Sequence, residues 1–159
     1  MALALSILAL LATFYQLYLQ RLHNEKSVKP LIQINLTDQN GLLYVHVQNN
    51  GLGPVILEKL VFTKAGQTYT DITQCLELNP KEYQRVIISG SVKVVLPGEY
   101  LEVFSKQFRE DISASVIDDA RHQLADLKLT VLGRDIYDHK ITIERNLKWF
   151  KRHQVKDIK

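Results

Sequence analysis

The chain has 159 residues and a mass of 18.3 kDa, with 46% hydrophobic and 23% charged residues, which allows one ordinary domain plus a short appendage and excludes a second full domain. A single cysteine, Cys75, excludes an intrachain disulfide, and seven Gly with four Pro exclude a collagenous or low-complexity chain. The net charge of +3 and mean hydropathy of −0.09 describe neither half, because Met1 to Leu19 carry no charged side chain and every acidic and basic residue follows them.

Residues 2–19, ALALSILALLATFYQLYL, are interrupted only by Ser6, Thr13 and Gln16. At ~1.5 Å per helical residue this stretch nearly crosses a hydrocarbon core of ~30 Å. Tyr15 and Tyr18 precede the first cation, Arg21, as amphipathic rings do at a headgroup layer. A cleaved secretory signal is the competing reading, but no basic residue precedes the apolar run, the run is long, and no small-x-small site follows it. Residues 1–20 are therefore expected to be a transmembrane anchor and 21–29 a juxtamembrane linker. Arg21, Lys26 and Lys29, opposed only by Glu25, place the following body on the cytoplasmic side by the positive-inside rule. The expected address is the cell inner membrane, single-pass.

From Pro30 the dominant period is two. Ile32, Ile34 and Leu36 alternate with polar residues, Leu43, Val45 and Val47 do the same, and Asp38-Gln39-Asn40-Gly41 between them predicts a hairpin. Asn49-Asn50-Gly51-Leu52-Gly53-Pro54 is a turn cluster, followed by an expected strand at Val55–Thr63 and a short edge strand at Gln67–Asp71. Val86–Ile88, Val92–Leu96 and Glu99–Phe104 are β-compatible, with Pro97-Gly98 as punctuation. Between Asp111 and Leu124, Ile112, Val116, Ala120 and Leu124 recur at steps of four, with Ser115 and Asp118 placed like a capping pair, which predicts one amphipathic helix crossing between sheets. Leu127, Leu129 and Val131, a turn over 133–138, and Ile141 with Ile143 predict a last hairpin. The class expected is mainly β: a transmembrane helix followed by an immunoglobulin-like two-sheet β-sandwich over 30–147 with one short helix. "Immunoglobulin-like" names architecture only, because the cysteine and tryptophan marks of that fold are absent.

Arg21-Leu22-His23-Asn24-Glu25-Lys26-Ser27-Val28-Lys29-Pro30 and Asn49-Asn50-Gly51-Leu52-Gly53-Pro54 together resemble a group of small uncharacterised bacterial single-pass membrane proteins. These combine one N-terminal helix, a juxtamembrane R-x-H-N-x-x-S-V-x-P segment and a β-rich domain opening with an N-x-G-x-G-P turn. The resemblance covers about the first 65 residues. It implies the anchor and the sheet-rich body, and no activity.

No enzyme motif emerges. Asp135, Asp138 and His139 cluster in an expected loop, where a polar turn accounts for them; Asp118 and His122 share a helix face without a further ligand. His46 reads as a structural histidine, and Cys75 has no CxxC partner or neighbouring histidine. Gly51-x-Gly53-Pro54 precedes a strand and is not a phosphate cradle. No catalytic residue, cofactor, metal or small-molecule substrate is expected.

Residues 144–159 hold six Lys and Arg against two acids, whereas 30–143 are mildly acidic, so nucleic acid is not an expected partner. The basic tail 148–159 contains Trp149, Phe150, Lys151 and Arg152, a mixture of rings and cations suited to an anionic leaflet, although Trp149 and Phe150 can equally cap the body. The resulting expectation is a non-enzymatic, membrane-tethered module that binds or scaffolds an unidentified protein, with Asn49, Asn50, Gly51, Gly53 and Pro54 as the candidate contact loop. The membrane-proximal set is Arg21, Lys26, Lys29, Trp149, Phe150, Lys151 and Arg152. The alternative is an envelope or export-side assembly or surface-binding protein, with the body outside the cytoplasm.

Overall fold

The computed structural model describes residues 2–86, 88 and 91–153. The apolar opening forms α1 (Ala2–Ser27), 26 residues without one buried side chain and with a window of mean hydropathy 1.9. Two of its three polar interruptions are satisfied within the helix: Ser6 and Thr13 hydroxyls donate to the carbonyls of Ala2 and Ala9 at 3.0 and 2.9 Å. The helix does not stop where the charges begin. It continues through an Arg21–Glu25 pair at 3.0 Å to Ser27, so most of the segment expected as a linker is rigid helix.

The expected first hairpin is present as β1 (Ile32–Gln39) and β2 (Leu42–Asn49), joined by Asn40 and Gly41 with φ of 51° and 73°. Two successive left-handed residues match the twist of the flanking strands, and Asn-Gly tolerates them best. Then come β3 (Val55–Lys64), β4 (Gln67–Tyr69), a 3₁₀ turn at Ile72–Gln74, β5 (Gln84–Arg85), β6 (Lys93–Val95) and β7 (Tyr100–Gln107). Helix α2 (Ala114–Ala125) leads to β8 (Leu127–Arg134), β9 (Lys140–Asn146) and a closing 3₁₀ segment at Leu147–His153. Of the expected strand at Val86–Ile88, residue 87 lies outside the described residues.

The strands form two antiparallel sheets, β1-β2-β7-β5 and β4-β3-β8-β9, with β6 on the same flank of β3 as β4. One core joins them: Leu43, Val45, Val47, Val103 and Phe104 come from the first, and Val55, Leu57, Phe62, Leu127, Leu129 and Val131 from the second. Along one flank β1 and β9 abut, and the Arg145 guanidinium donates to the carbonyl of Ile34.

As expected, α2 crosses from one sheet to the other, between β7 and β8. Two details differ from expectation. Ile112 and Val116 are exposed, and Ala120, Leu124 and Ala125 carry the buried face, with Ile117 packed partly against the core. Ser113 occupies the N-cap position, and Asp118 is taken by Arg121 rather than by a capping partnership with Ser115.

Arg121 fastens the helix to the sheet. Its Nε and Nη2 donate to the two oxygens of Asp38 at 2.8 Å each, and Nη1 donates to Asp118 at 2.7 Å. The Asp38 side chain is only 2% exposed, so removing the guanidinium strands a buried carboxylate. Arg121→Ala is expected to lower unfolding stability by about 3 kcal/mol, whereas Asp118→Ala should cost less than about 1 kcal/mol, as read by denaturant titration of tertiary fluorescence.

Candidate functional site

Two segments distant in sequence meet where α1 enters the body. Val28 to Leu31 leave the helix and pass directly over the Asn49–Pro54 turn. The centre of the contact is Asn49, which is fully buried. Its Oδ1 accepts from the amides of Leu31 and Gly51 at 3.2 and 3.0 Å, and its Nδ2 donates to the carbonyls of Gly53 and Val95 at 2.7 and 3.1 Å. Its backbone is also engaged: the amide donates to Glu99 at 3.0 Å, and the carbonyl accepts from Gly98 at 2.8 Å. One residue, through side chain and backbone, thus ties together the helix exit, its own turn, the end of β6 and the Pro97-Gly98 turn. Backbone bonds from Asn50 to Leu31 at 2.8 Å and from Leu52 to Lys29 at 3.3 Å complete the joint.

The glycines of this turn are needed for proximity. A Cβ on Gly53 would lie 1.6 Å from the carbonyl oxygen of Val28, and one on Gly51 would lie 2.5 Å from that of Lys29. The N-x-G-x-G-P turn therefore presents its backbone inward. Asn49 and Gly53 are buried and Gly51 and Pro54 half-buried, while Asn50 alone of the five candidate contact residues is exposed. Their main contact is the helix exit of their own chain.

Of the expected membrane-proximal set, Arg21, Lys26 and Lys29 lie on the last turns of α1 and the segment after it. Beside them sits the turn between β8 and β9. Asp135 organises this turn: Oδ1 accepts from the amides of Tyr137 and His139 at 2.8 and 2.9 Å, and Oδ2 pairs with the Nδ1 of His139 at 2.9 Å. Burial alone would raise the Asp135 carboxyl, but these hydrogen bonds together hold it below the usual carboxylate range. Asp138, in a left-handed conformation with φ of 64°, faces Arg134. Asp135 and His139 act here as a polar turn.

Trp149, Phe150, Lys151 and Arg152 fall elsewhere. β9 starts beside the helix exit and runs away from it, so the segment that follows β9 lies a strand length, about 25 Å, from that end. Phe150 and Leu147 are fully buried, Trp149 packs edge-on to Phe150 at 5.4 Å, Arg152 stacks 3.6 Å over the Trp149 ring, and Lys151 pairs with Asp126 at 3.0 Å. The Phe150 ring, buried with Leu147, and the Trp149 ring packed on it cap the core at the end away from the helix exit. The tail from 154 onward lies outside the described residues.

Two further groups were singled out by type. Cys75 is buried, and burial pushes its thiol up to about 11, against the pull of Lys64. His46 sits on the outer face of the first sheet between Tyr44 and Tyr100, at centroid distances of 4.9 and 5.0 Å. Asn35 Nδ2 donates to both Gln48 at 2.7 Å and His46 Nε2 at 3.2 Å, which fits a neutral ring protonated at Nδ1, an atom without a hydrogen-bond partner among the described residues. Burial holds His46 below its ordinary pKa, and Gln48 opposes this only in part. Among the described residues no three His, Cys, Asp or Glu side chains converge as a metal site would require.

The chain matches no protein-family model and no curated protein. Among solved structures it is similar to the archaellum periplasmic stator protein FlaG from Sulfolobus acidocaldarius, at 11% identity over 72% of this chain and 100% of that one, with a TM-score of 0.27. A likeness this slight carries no argument about fold or function.

Two outcomes follow from the joint and from His46. Asn49→Ala unmasks several buried backbone groups and should lower stability by about 3 kcal/mol, whereas Asn50→Ala, at the surface, should change it by less than about 0.5 kcal/mol; Gly53→Ala should disrupt the helix–body contact as severely as Asn49→Ala, read as faster proteolysis after Lys26 or Lys29. His46 takes up a proton more readily unfolded than folded, so stability is full above its ordinary value of 6.5 and falls as the pH drops below it. His46→Gln should flatten the melting temperature between pH 7 and 5.

Proposed function

We propose that the protein is a single-pass, membrane-tethered module whose immunoglobulin-like sandwich is held at the cytoplasmic face of the inner membrane to bind or scaffold another protein, without catalysis of its own. The observation that carries this reading is the union of an unburied, apolar 26-residue helix with a body that grips its exit through Asn49. A helix with no buried residue gains nothing from the body along its length, so lipid is the environment that stabilises it. A body gripping the helix exit has a defined orientation at the surface, which suits presentation of a binding face. Tethering also confines the search for a partner to the membrane plane and raises its effective concentration.

With the Asn49 turn engaged by the helix exit, the contact surface passes to the short edge strands β4 and β6. Val92, Val94 and Leu96 around β6 are each 56% exposed. An edge of this kind accepts an added strand, with alternate side chains reading the partner.

A cysteine appended after Lys159 tests the topology, because Cys75 is buried and its raised thiol keeps it silent at neutral pH. Membrane-impermeant maleimide should label the tail only after the cells are opened. Labelling of intact cells assigns the body to the export side, and recovery of a soluble chain lacking its first two dozen residues overturns the anchor. A photo-crosslinker at Val94 should trap one discrete protein in mild detergent; a clean preparation with no adduct argues against scaffolding.

A further inference from the structure

A groove of about 220 Å³ lies between the last turns of α1 and the β8–β9 turn, lined by Leu22, Glu25, Lys26 and Lys29 on one side and Asp135, His139, Lys140 and Ile141 on the other. Its charge is unevenly answered. Glu25 is paired with Arg21 at 3.0 Å, and Asp135 is occupied by the amides of its own turn and by the His139 ring. Lys26, Lys29 and Lys140 form no ion pair with the described residues. Three lysines thus line a groove whose two carboxylates are already engaged, with Leu22 and Ile141 supplying apolar wall.

Height along the helix supplies the second constraint. Leu22 lies three residues beyond Leu19, the end of the uncharged stretch, and Lys26 seven. At ~1.5 Å per residue these are about 5 and 10 Å beyond the hydrocarbon boundary, within a headgroup layer of about 5–7.5 Å for Leu22 and just outside it for the Lys26 backbone. The apolar wall therefore lies at headgroup depth, and the lysines, rooted just outside it, have stems long enough to bring an ammonium back to the phosphates.

We propose that this groove is a binding site for the phosphate headgroup of an anionic phospholipid from the surrounding leaflet. The lysines surround the phosphate, the His139 ring, steadied through Nδ1 by Asp135, forms the outer wall, and Leu22 with Ile141 contact the glycerol and first methylenes. Because the site is shared between helix and hairpin, an occupying lipid clamps the body to the anchor and adds to the Asn49 joint. The inference rests on the membrane placement of α1 proposed above.

The test uses the full chain extracted in mild detergent, with retained lipid counted by native mass spectrometry after addition of phosphatidylglycerol or phosphatidylcholine of matched acyl chains. The wild-type chain should retain the anionic lipid with about tenfold preference or more. Lys26→Gln, Lys29→Gln and Lys140→Gln together should abolish the preference, and Lys140→Gln alone should reduce it. Lys59→Gln, Lys93→Gln and Lys148→Gln together, which remove equal charge away from the groove, should leave it intact. No preference in the wild type, or equal loss in both triple variants, overturns the site. Displacement of phosphatidylglycerol by millimolar inorganic phosphate overturns the lipid assignment in favour of a soluble anion. A chain that stays soluble without detergent defeats the anchor itself, whereas an extracted chain with no lipid preference defeats only this site.

Discussion

The architecture depends on a buried amide. Asn49 satisfies four polar groups with its side chain and two more partners with its backbone, and these belong to four different stretches of chain. An amide carries both donors and acceptor on one short stem, which is why this position is served by Asn: Asp lacks the donors to Gly53 and Val95, and Gln places them one methylene too far. Because the site excludes water, each bond is stronger than at the surface, and each loss leaves an unpaired group. The end of the body nearest the helix is thereby fixed, and the sheets are built outward from it.

That arrangement gives the body two dissimilar ends. The near end gathers the helix exit, the Asn49 turn, the Pro97-Gly98 turn and the β8–β9 turn, all held by backbone-directed hydrogen bonds. The far end carries the β1–β2 turn, α2 and the 147–153 segment, where Phe150 and Leu147 close the core and Arg121 bridges Asp38 to Asp118. Apolar packing finishes one end and polar satisfaction the other. The division is physically sensible, because loops that abut a helix exit must satisfy many orphan carbonyls and amides, whereas an end facing bulk water can be capped by rings.

Local features were legible in the sequence to the extent that local physics decides them. The Asn40-Gly41 turn, the alternation of β1, β2 and β8, the crossing role of α2 and the apolar helix all follow from propensity and period. What depended on distant partners was not. The step-of-four series from Ile112 to Leu124 indicates a helix but not which part meets the core, so Ile112 and Val116 were assigned to a face that only Ala120 and Leu124 bury. Trp149 and Phe150 present the same composition whether they face lipid or a core, and strand direction, a long-range property, places them far from the anchor. The Asn49 turn was conspicuous for its glycines, yet glycine signals close approach without naming what approaches; the neighbour is 25 residues earlier for Gly53 and Val28.

A rigid joint has consequences that a flexible tether lacks. A linker of nine flexible residues would let the body sample a span of about 15–18 Å and every orientation, so the membrane would set only its concentration. Here α1 runs to Ser27, and only Val28 to Leu31 separate it from β1, each of the four meeting the Asn49 turn through backbone bonds or close packing. With α1 in a bilayer, as proposed above, tilt or rotation of the helix is transmitted to the sheets, and the direction of the β6 edge follows from that of α1. The same coupling works in reverse. Any load on the body that displaces it from the helix exit must break the Leu31–Asn49 bond together with the backbone bonds from Asn50 to Leu31 and from Leu52 to Lys29. Side-chain and backbone bonds thus share the joint, and with α1 in lipid, as proposed above, they set the orientation of the body relative to the membrane.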